Sequence, residues 1–178
     1  APIELGSAGD LIEDVDVAVD NQGVVHAAWA SHEFVSGIST VHYRRATGNG
    51  EFLWHWDPEE VLGDVEDRIL RLSIAANPQA LLDGVTVAAG SDYDEVPSLW
   101  VLESADGGVT WDLDSYPGYA DPELVWEDTG RYLVARATTE TDAGNSLVLM
   151  QREPDGWVAD PMIDADGFVV LSGGHVAL

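Results

Sequence analysis

Apolar residues along this chain come in short runs, in which hydrophobic positions either alternate with polar ones or crowd together. Runs of this length, bounded by Gly, Asn, Asp and Pro, predict β-strands. The best candidate for a helix lies at 58–72, but Gly63 interrupts it. The pattern therefore predicts an all-β fold.

The runs repeat as a unit of four strands. A turn rich in Asn, Asp or Gly joins the first two strands, and a Gly-rich hairpin with an aromatic residue precedes a weaker fourth strand. Four antiparallel strands at this spacing are typical of a β-propeller blade, and blades must stack because one sheet cannot bury both of its faces. First strands are predicted at 15–19, 70–75 and 124–126, and second strands at 24–30, 85–90 and 132–137. Third strands are predicted at 40–45, 98–103 and 146–152, and fourth strands at 60–62, 113–116 and 158–163.

The repeat divides the chain into three blades at 7–62, 63–117 and 118–163. The flanking segments match parts of a unit: 1–6 resembles an outer fourth strand, and 164–178 resembles the inner strand of a next blade. Known propellers have at least about four blades. We therefore expect either a homodimer that completes a six-bladed ring or covalent continuation in a longer propeller; a fourth blade built from the two chain ends is a third possibility.

One hairpin carries the pattern S-x-D-x-G-x-T-W. A carboxylate at its third position can accept hydrogen bonds from backbone N–H groups of its own turn, a glycine permits positive φ, and the tryptophan fills the gap beneath the turn. The other two units keep eroded versions at 45–52 and 152–157. These roles predict a structural hairpin, whose key residues are Ser104, Asp106, Gly108, Thr110 and Trp111.

This motif resembles the Asp-box, or BNR repeat, of sialidase-like β-propellers. The resemblance implies that the hairpin lies away from the ligand-binding face. It also implies that a site forms at the opposite end, where the loops between second and third strands meet the loops that lead into first strands. The ligand-face candidates in those loops are His32, Glu33, Phe34, Arg68, Tyr93, Asp94 and Glu140.

Charge limits what such a face can bind. The chain has 33 Asp+Glu against 7 Lys+Arg, a net charge of −26, and all seven basic residues are arginine. Phosphate recognition needs a basic surface, so nucleic acid is excluded as a partner. No apolar run approaches the roughly 18 residues of a spanning helix, so membrane insertion is excluded too. The lack of lysine, with acids scattered along the chain, resembles the surfaces of halophilic proteins.

Metal sites and cofactors are not expected. The chain has no cysteine, and its histidines lack the spacing of metal-binding pairs. The segment that contains Asp164 and Asp166 matches the start of a calcium loop but lacks the later ligands, so an acidic turn is favoured over a calcium site. The first residue, Ala1, predicts a processed or excised chain and an extracellular or cell-surface location.

The resemblance implies that a sialidase would need three arginines to clamp the sugar carboxylate, a Tyr–Glu pair and an Arg-Ile-Pro segment. No Arg-Ile-Pro segment occurs, and Arg68 is the arginine best placed for a clamp, with Arg131 second. We therefore expect a non-enzymatic extracellular recognition or scaffold module that binds glycan or protein through its loop-rich face. The alternatives are a sialidase-like glycoside hydrolase, or part of one, and a purely structural repeat of a larger surface protein.

Overall fold

The computed structural model describes residues 11–48, 54–79, 84–91, 97–127, 130–137 and 146–161. They form three antiparallel sheets, so the prediction of an all-β fold is confirmed. The first sheet contains β1 (Leu11–Val19), β2 (Val25–Glu33), β3 (Ile38–Gly48), β4 (Trp54–Trp56) and β5 (Glu60–Val65). The second contains β6 (Ile69–Ala76), β7 (Val85–Ser91), β8 (Ser98–Ser104) and β9 (Asp112–Pro117). The third contains β10 (Tyr119–Glu127), β11 (Gly130–Ala137), β12 (Ser146–Glu153) and β13 (Gly156–Pro161).

The second and third sheets are four-stranded meanders, as the repeat predicts. The first sheet differs because its outer strand is broken in two. β4 and β5 both pair with β3, and Asp57 and Pro58 lie in the break between them. Pro58 has no N–H to donate to the strand ladder, which favours a break at this point. Just before it, the Asp57 N–H donates to the carbonyl of Arg45 at 2.9 Å. The fourth strand predicted at 60–62 corresponds to β5, which extends to Val65, and β4 is a separate short strand before it.

Two apolar clusters hold the sheets together. The first cluster joins the first and second sheets, where Val41 and Tyr43 of β3 pack with Leu72 and Ile74 of β6. The second cluster joins the second and third sheets and includes Leu133 and Met150, together with Val101 of β8. Because side chains alternate along each strand, the second sheet is covered on both faces. Its middle strand, β7, is accordingly buried along its whole length.

The first strands of the sheets also contact each other through polar groups. Asp14 and Asp16 of β1 each use Oδ2 to accept a hydrogen bond from a backbone N–H of β6, Asp14 from Leu72 and Asp16 from Ile74, both at 2.9 Å. Ser73 of β6 in turn accepts the N–H of a β10 residue at 3.1 Å. A buried, unpaired N–H is costly, so these side chains stabilise the approach of unpaired strand edges.

The described part of the chain includes no helix that is long and apolar enough to span a membrane. The segments 1–6 and 164–178, for which partial units are predicted, lie outside the described residues.

Candidate functional site

At one end of the sheets, the hairpin between β8 and β9 is organised by a single carboxylate. Asp106 accepts hydrogen bonds from the N–H groups of Val109 and Thr110 at 3.1 and 2.9 Å, and from the Thr110 hydroxyl at 2.7 Å. Ser104 donates to the same carboxylate at 2.8 Å and accepts the N–H of Gly108 at 2.8 Å. The Thr110 hydroxyl and N–H, together with Ser104, hold the pKa of Asp106 well below its usual range. The carboxylate is thus fully engaged by its own turn.

The same hairpin is fastened to the first sheet. The rings of Trp111 and Tyr43 meet edge to face at 4.9 Å, and Gly108 lies directly against the Tyr43 ring. Arg45 of β3 donates from Nη1 to the carbonyl of Gly107 at 3.0 Å and from Nε to Asp57 at 2.5 Å. These contacts give the hairpin a packing role between sheets.

A buried series of polar contacts runs from Tyr43 to the turn between β1 and β2. Nδ1 of His26 lies 2.6 Å from the Tyr43 hydroxyl, and Nε2 lies 3.4 Å from Asp20. Burial raises the pKa of Tyr43, so the hydroxyl stays protonated and donates to His26. Burial also lowers the pKa of His26, and Asp20 opposes that shift only in part. The neutral imidazole therefore fits this network best.

Protonation of His26 should destabilise the fold. Its folded pKa lies below the ordinary value of 6.5, so the unfolded chain binds the proton more readily, and the free energy of unfolding should fall as the pH drops below 6.5. Chemical denaturation across this range, at fixed salt, should show a steeper fall for the natural chain than for His26→Gln, which keeps a hydrogen-bonding group but cannot titrate. His55→Gln, which changes an exposed histidine, is the matched control and should retain the natural slope. Parallel curves for the natural chain and His26→Gln would contradict this assignment.

At the opposite end, the turn between β2 and β3 presents an aromatic side chain to solvent. Phe34 is 70% exposed, and its ring meets the ring of His32 edge to face at 5.5 Å. Ser39 lies 3.1 Å from Nδ1 of His32, and its hydroxyl also accepts the N–H of Ile69 at 3.1 Å. Ser36 donates to the Glu33 carboxylate at 2.7 Å, which fixes the turn itself. The exposed ring of Phe34 thus contacts His32, which is itself positioned by Ser39.

Arg68 lies in the loop that leads into β6, next to Ile69, whose N–H donates to Ser39. Its Nε and Nη2 donate to the two carboxylate oxygens of Glu13 at 2.7 and 3.0 Å. Asp67 accepts the N–H of Arg68 at 2.6 Å and also binds the hydroxyl of Ser91. Glu13 is in β1, so this forked pair bridges the first and second sheets. A bidentate pair of this kind already satisfies the geometry with which arginine would grip a ligand carboxylate.

Each first strand has a register shift at this same end. The shifts occur between Ile12 and Asp14 in β1, between Ile69 and Arg71 in β6, and between Ala120 and Glu123 in β10. β-Bulges re-aim side chains and are frequent beside functional sites. In β1 the shift places Glu13 where it meets Arg68.

The third sheet contributes a second acid–arginine pair beside its bulge. Asp121 has φ of 50°, which is strained for a residue other than glycine, and its Oδ2 accepts from Nε of Arg136 at 2.7 Å. Gly90 packs closely here, since a Cβ at that position would lie 2.8 Å from Pro122. The strained backbone is therefore held by both an ion pair and a close contact.

The structure places His32 and Glu33 at the end of β2 and Phe34 in the turn that follows, and Arg68 lies one residue before Ile69, whose N–H donates to Ser39. The remaining predicted ligand-face residues lie outside the described residues, as do the two aspartates of the possible calcium loop: Tyr93, Asp94, Glu140, Asp164 and Asp166. Within the described ranges, no group of three or more His, Asp and Glu side chains is placed to hold a metal ion.

Sequence reasoning did not link the residues of this end to the partners with which they form hydrogen bonds and ion pairs. Ser39 is a polar residue in a strand like many others, and nothing local links it to Ile69. The pair of Asp121 and Arg136 depends on the bulge in β10, which the sequence indicates only through the neighbouring Pro122. Pro122 precedes the strand predicted at 124–126, and a proline beside a strand is the one signal that could have drawn attention to this place.

Comparison with solved structures gives the fold class. Two structures of a Trypanosoma rangeli sialidase are similar to this chain. One has a TM-score of 0.50 and 17% identity, and the other, in complex with sialic acid, has a TM-score of 0.49 and 16% identity. Each match covers 86% of this chain but 28% of the sialidase chain. No protein-family model matches the sequence, and the search of curated proteins finds no relative.

At this identity the likeness shows the fold alone: this chain has the sheet arrangement of a sialidase-like β-propeller. It spans little more than a quarter of the sialidases' length, so it corresponds to part of their architecture.

Proposed function

We propose that this chain is a non-enzymatic, extracellular recognition module that binds glycan through its loop-rich end. The observation that supports this most directly is the exposed ring of Phe34, held edge-on by His32. An immobilised aromatic face offers a flat apolar surface to the C–H groups of a sugar ring at low entropic cost. Sites of this kind pair such a surface with a few polar groups, which Glu33 and the Arg68–Glu13 pair supply.

Neutral sugars suit this end of the molecule better than sialylated ones. Arg68 is already bound at two nitrogens by Glu13, and the chain carries a net charge of −26. An anionic ligand would need to displace an internal carboxylate while approaching a negative field. These two facts favour recognition over the sialidase alternative, and glycan over an acidic protein partner.

Phe34→Ala should weaken glycan binding by roughly 10-fold or more, the effect expected of an aromatic anchor. The measurement is titration calorimetry in molar salt with a neutral oligosaccharide selected from an array. Val35→Ala is the matched control, because Val35 is the adjacent residue and is 94% exposed. Equal affinities for Phe34→Ala and the natural chain would refute the role of this ring.

The two alternative functions give different results in the same experiments. A silent array together with release of product from a sialoside, lost in Glu33→Gln, would favour a hydrolase. A silent array with no turnover would favour a protein-binding or purely structural repeat.

A further inference from the structure

Two arginines of the third sheet share one carboxylate of the second sheet. Arg131 of β11 donates from Nη1 to Oε1 of Glu103, and Arg152 of β12 donates from Nε to Oε2 of the same side chain at 2.7 Å. Glu103 is in β8 and directly precedes Ser104 of the hairpin, so the cluster lies at the hairpin end of the sheets. One negative charge therefore meets two positive charges where these sheets pack together.

The described residues leave one of these positive charges uncompensated. The ladder between β11 and β12 pairs Tyr132 with Gln151. The next residues in the same register are Arg131 and Arg152, so their guanidinium groups lie on neighbouring strands, where like charges repel each other. Within the described ranges, Glu103 supplies the one carboxylate in contact with either guanidinium group.

The two arginines also have N–H groups to spare. A guanidinium group carries five N–H donors. Arg131 uses Nη1, whereas Arg152 uses Nε for Glu103 and Nη1 for the carbonyl of Glu153. Nε and Nη2 of Arg131 and Nη2 of Arg152 find no acceptor in the part of the chain that the structure describes. The two side chains are 28% and 22% exposed, so a small ion can reach these donors from solvent.

An aromatic ring holds Arg131 in place. Its Cζ lies 4.9 Å from the centroid of the Trp126 ring, and Trp126 packs so closely on Gly84 that a Cβ there would overlap the ring. Burial lowers the pKa of Arg131, the charge of Glu103 opposes this shift, and the charge of Arg152 adds to it. A guanidinium group that is fixed and incompletely neutralised is a preorganised donor for an anion.

Two buried polar groups next to the cluster have no partner. Trp157 is the cross-strand neighbour of Arg152, and Thr86 is the cross-strand neighbour of Glu103. The Trp157 indole N–H and the Thr86 hydroxyl are shielded from water, and no described residue forms a hydrogen bond with either. Unsatisfied groups of this kind call for an explanation, and an ion between packed elements is one that fits this charge.

We propose that Arg131 and Arg152 hold a small monovalent anion at the junction of the second and third sheets. A single negative charge matches the positive charge that Glu103 leaves uncompensated. Chloride suits the site because it is compact and accepts hydrogen bonds from several N–H groups at once. This site is separate from the glycan-binding end, and its anion stabilises the packing of one sheet on the next.

Chlorine NMR tests the site in solution, because chloride that exchanges with a protein site broadens the resonance of free chloride. In a titration at constant molar ionic strength, with gluconate replacing chloride, the natural chain should give a broadening that saturates. Arg152→Gln and Arg131→Gln should each weaken chloride affinity by roughly 10-fold or more, since each removes a charge-assisted donor. Arg71→Gln makes the same change at an exposed position of β6 and should leave the affinity unchanged.

Glu103→Gln should act in the opposite direction. It leaves both guanidinium groups without their carboxylate, so chloride affinity should rise by roughly 10-fold. Glu66→Gln, at an exposed position in the loop before β6, is the matched control and should have no effect. Circular dichroism in molar salt checks that each variant is folded. Natural affinity in both arginine variants, or an affinity that is unchanged or weaker in Glu103→Gln, would overturn the proposal.

Discussion

Replacing Gly108 with alanine is expected to lower the free energy of unfolding by roughly 3 kcal/mol or more, through positive-φ strain and overpacking together. Gly108 has φ of 85°, and a Cβ there would lie 2.6 Å from Cζ of Tyr43. Tyr43 is buried, and its hydroxyl is bonded to His26, so its ring cannot move without breaking that contact. Chemical denaturation in molar salt would measure the loss.

Gly23→Ala separates the two causes. Gly23 has φ of 78°, close to that of Gly108, but nothing lies within 4 Å of the position its Cβ would take. This variant should therefore show the backbone strain alone, about 1 kcal/mol. Equal losses in the free energy of unfolding for Gly108→Ala and Gly23→Ala would show that close packing of the hairpin on Tyr43 does not contribute to the effect.

Replacing Asp16 with alanine should destabilise the fold by about 2–3 kcal/mol, although it removes a negative charge from a chain of −26. The Asp16 carboxylate accepts from the N–H groups of Val17 and Ile74 at 2.8 and 2.9 Å, and Ile74 belongs to the second sheet. Without it, these edge N–H groups lose their acceptor at the junction of two sheets. Denaturation of the variant in molar salt, where charge repulsion is screened, measures this effect.

Asp112→Ala is the matched control for charge. Asp112 is exposed on β9, so its removal should leave stability unchanged in molar salt and raise it in dilute buffer, where the acids repel one another. Asp16→Asn should fall between the natural chain and Asp16→Ala, because it keeps one acceptor oxygen. A stabilising effect of Asp16→Ala in both buffers would contradict the bridging role.

Much of the fold could be predicted from local pattern. The alternation of apolar residues located the strands of the second and third sheets, because strand periodicity is written directly in the sequence. The broken outer strand of the first sheet was harder to foresee. Pro58 marks the break, but the strand's return at Glu60 depends on pairing with β3, a contact distant in sequence.

The sequence predicted which loops carry the candidate ligand-face residues, but not the contacts that those residues make. Loop position placed His32, Phe34 and Arg68 among the ligand-face residues, and the structure has His32 and Phe34 in contact and Arg68 next to Ile69, whose N–H donates to Ser39. The state of Arg68 was not predictable, since its partner Glu13 is in another sheet and is aimed by a bulge. A bulge changes the register of a strand by one residue, and no residue type predicts it reliably.

The sequence by itself determined the strand content, the hairpin built around Asp106 and the strongly negative surface, because each follows from residues close together in the chain. Only the tertiary structure decided which charges are paired and which apolar side chains pack against a neighbouring sheet. Asp16 and Glu123 look alike as isolated acids, but one accepts an N–H from a neighbouring sheet and the other faces solvent. The physical reason is that a carboxylate's role depends on the donors that packing brings within about 3 Å, and those donors come from strands distant in sequence.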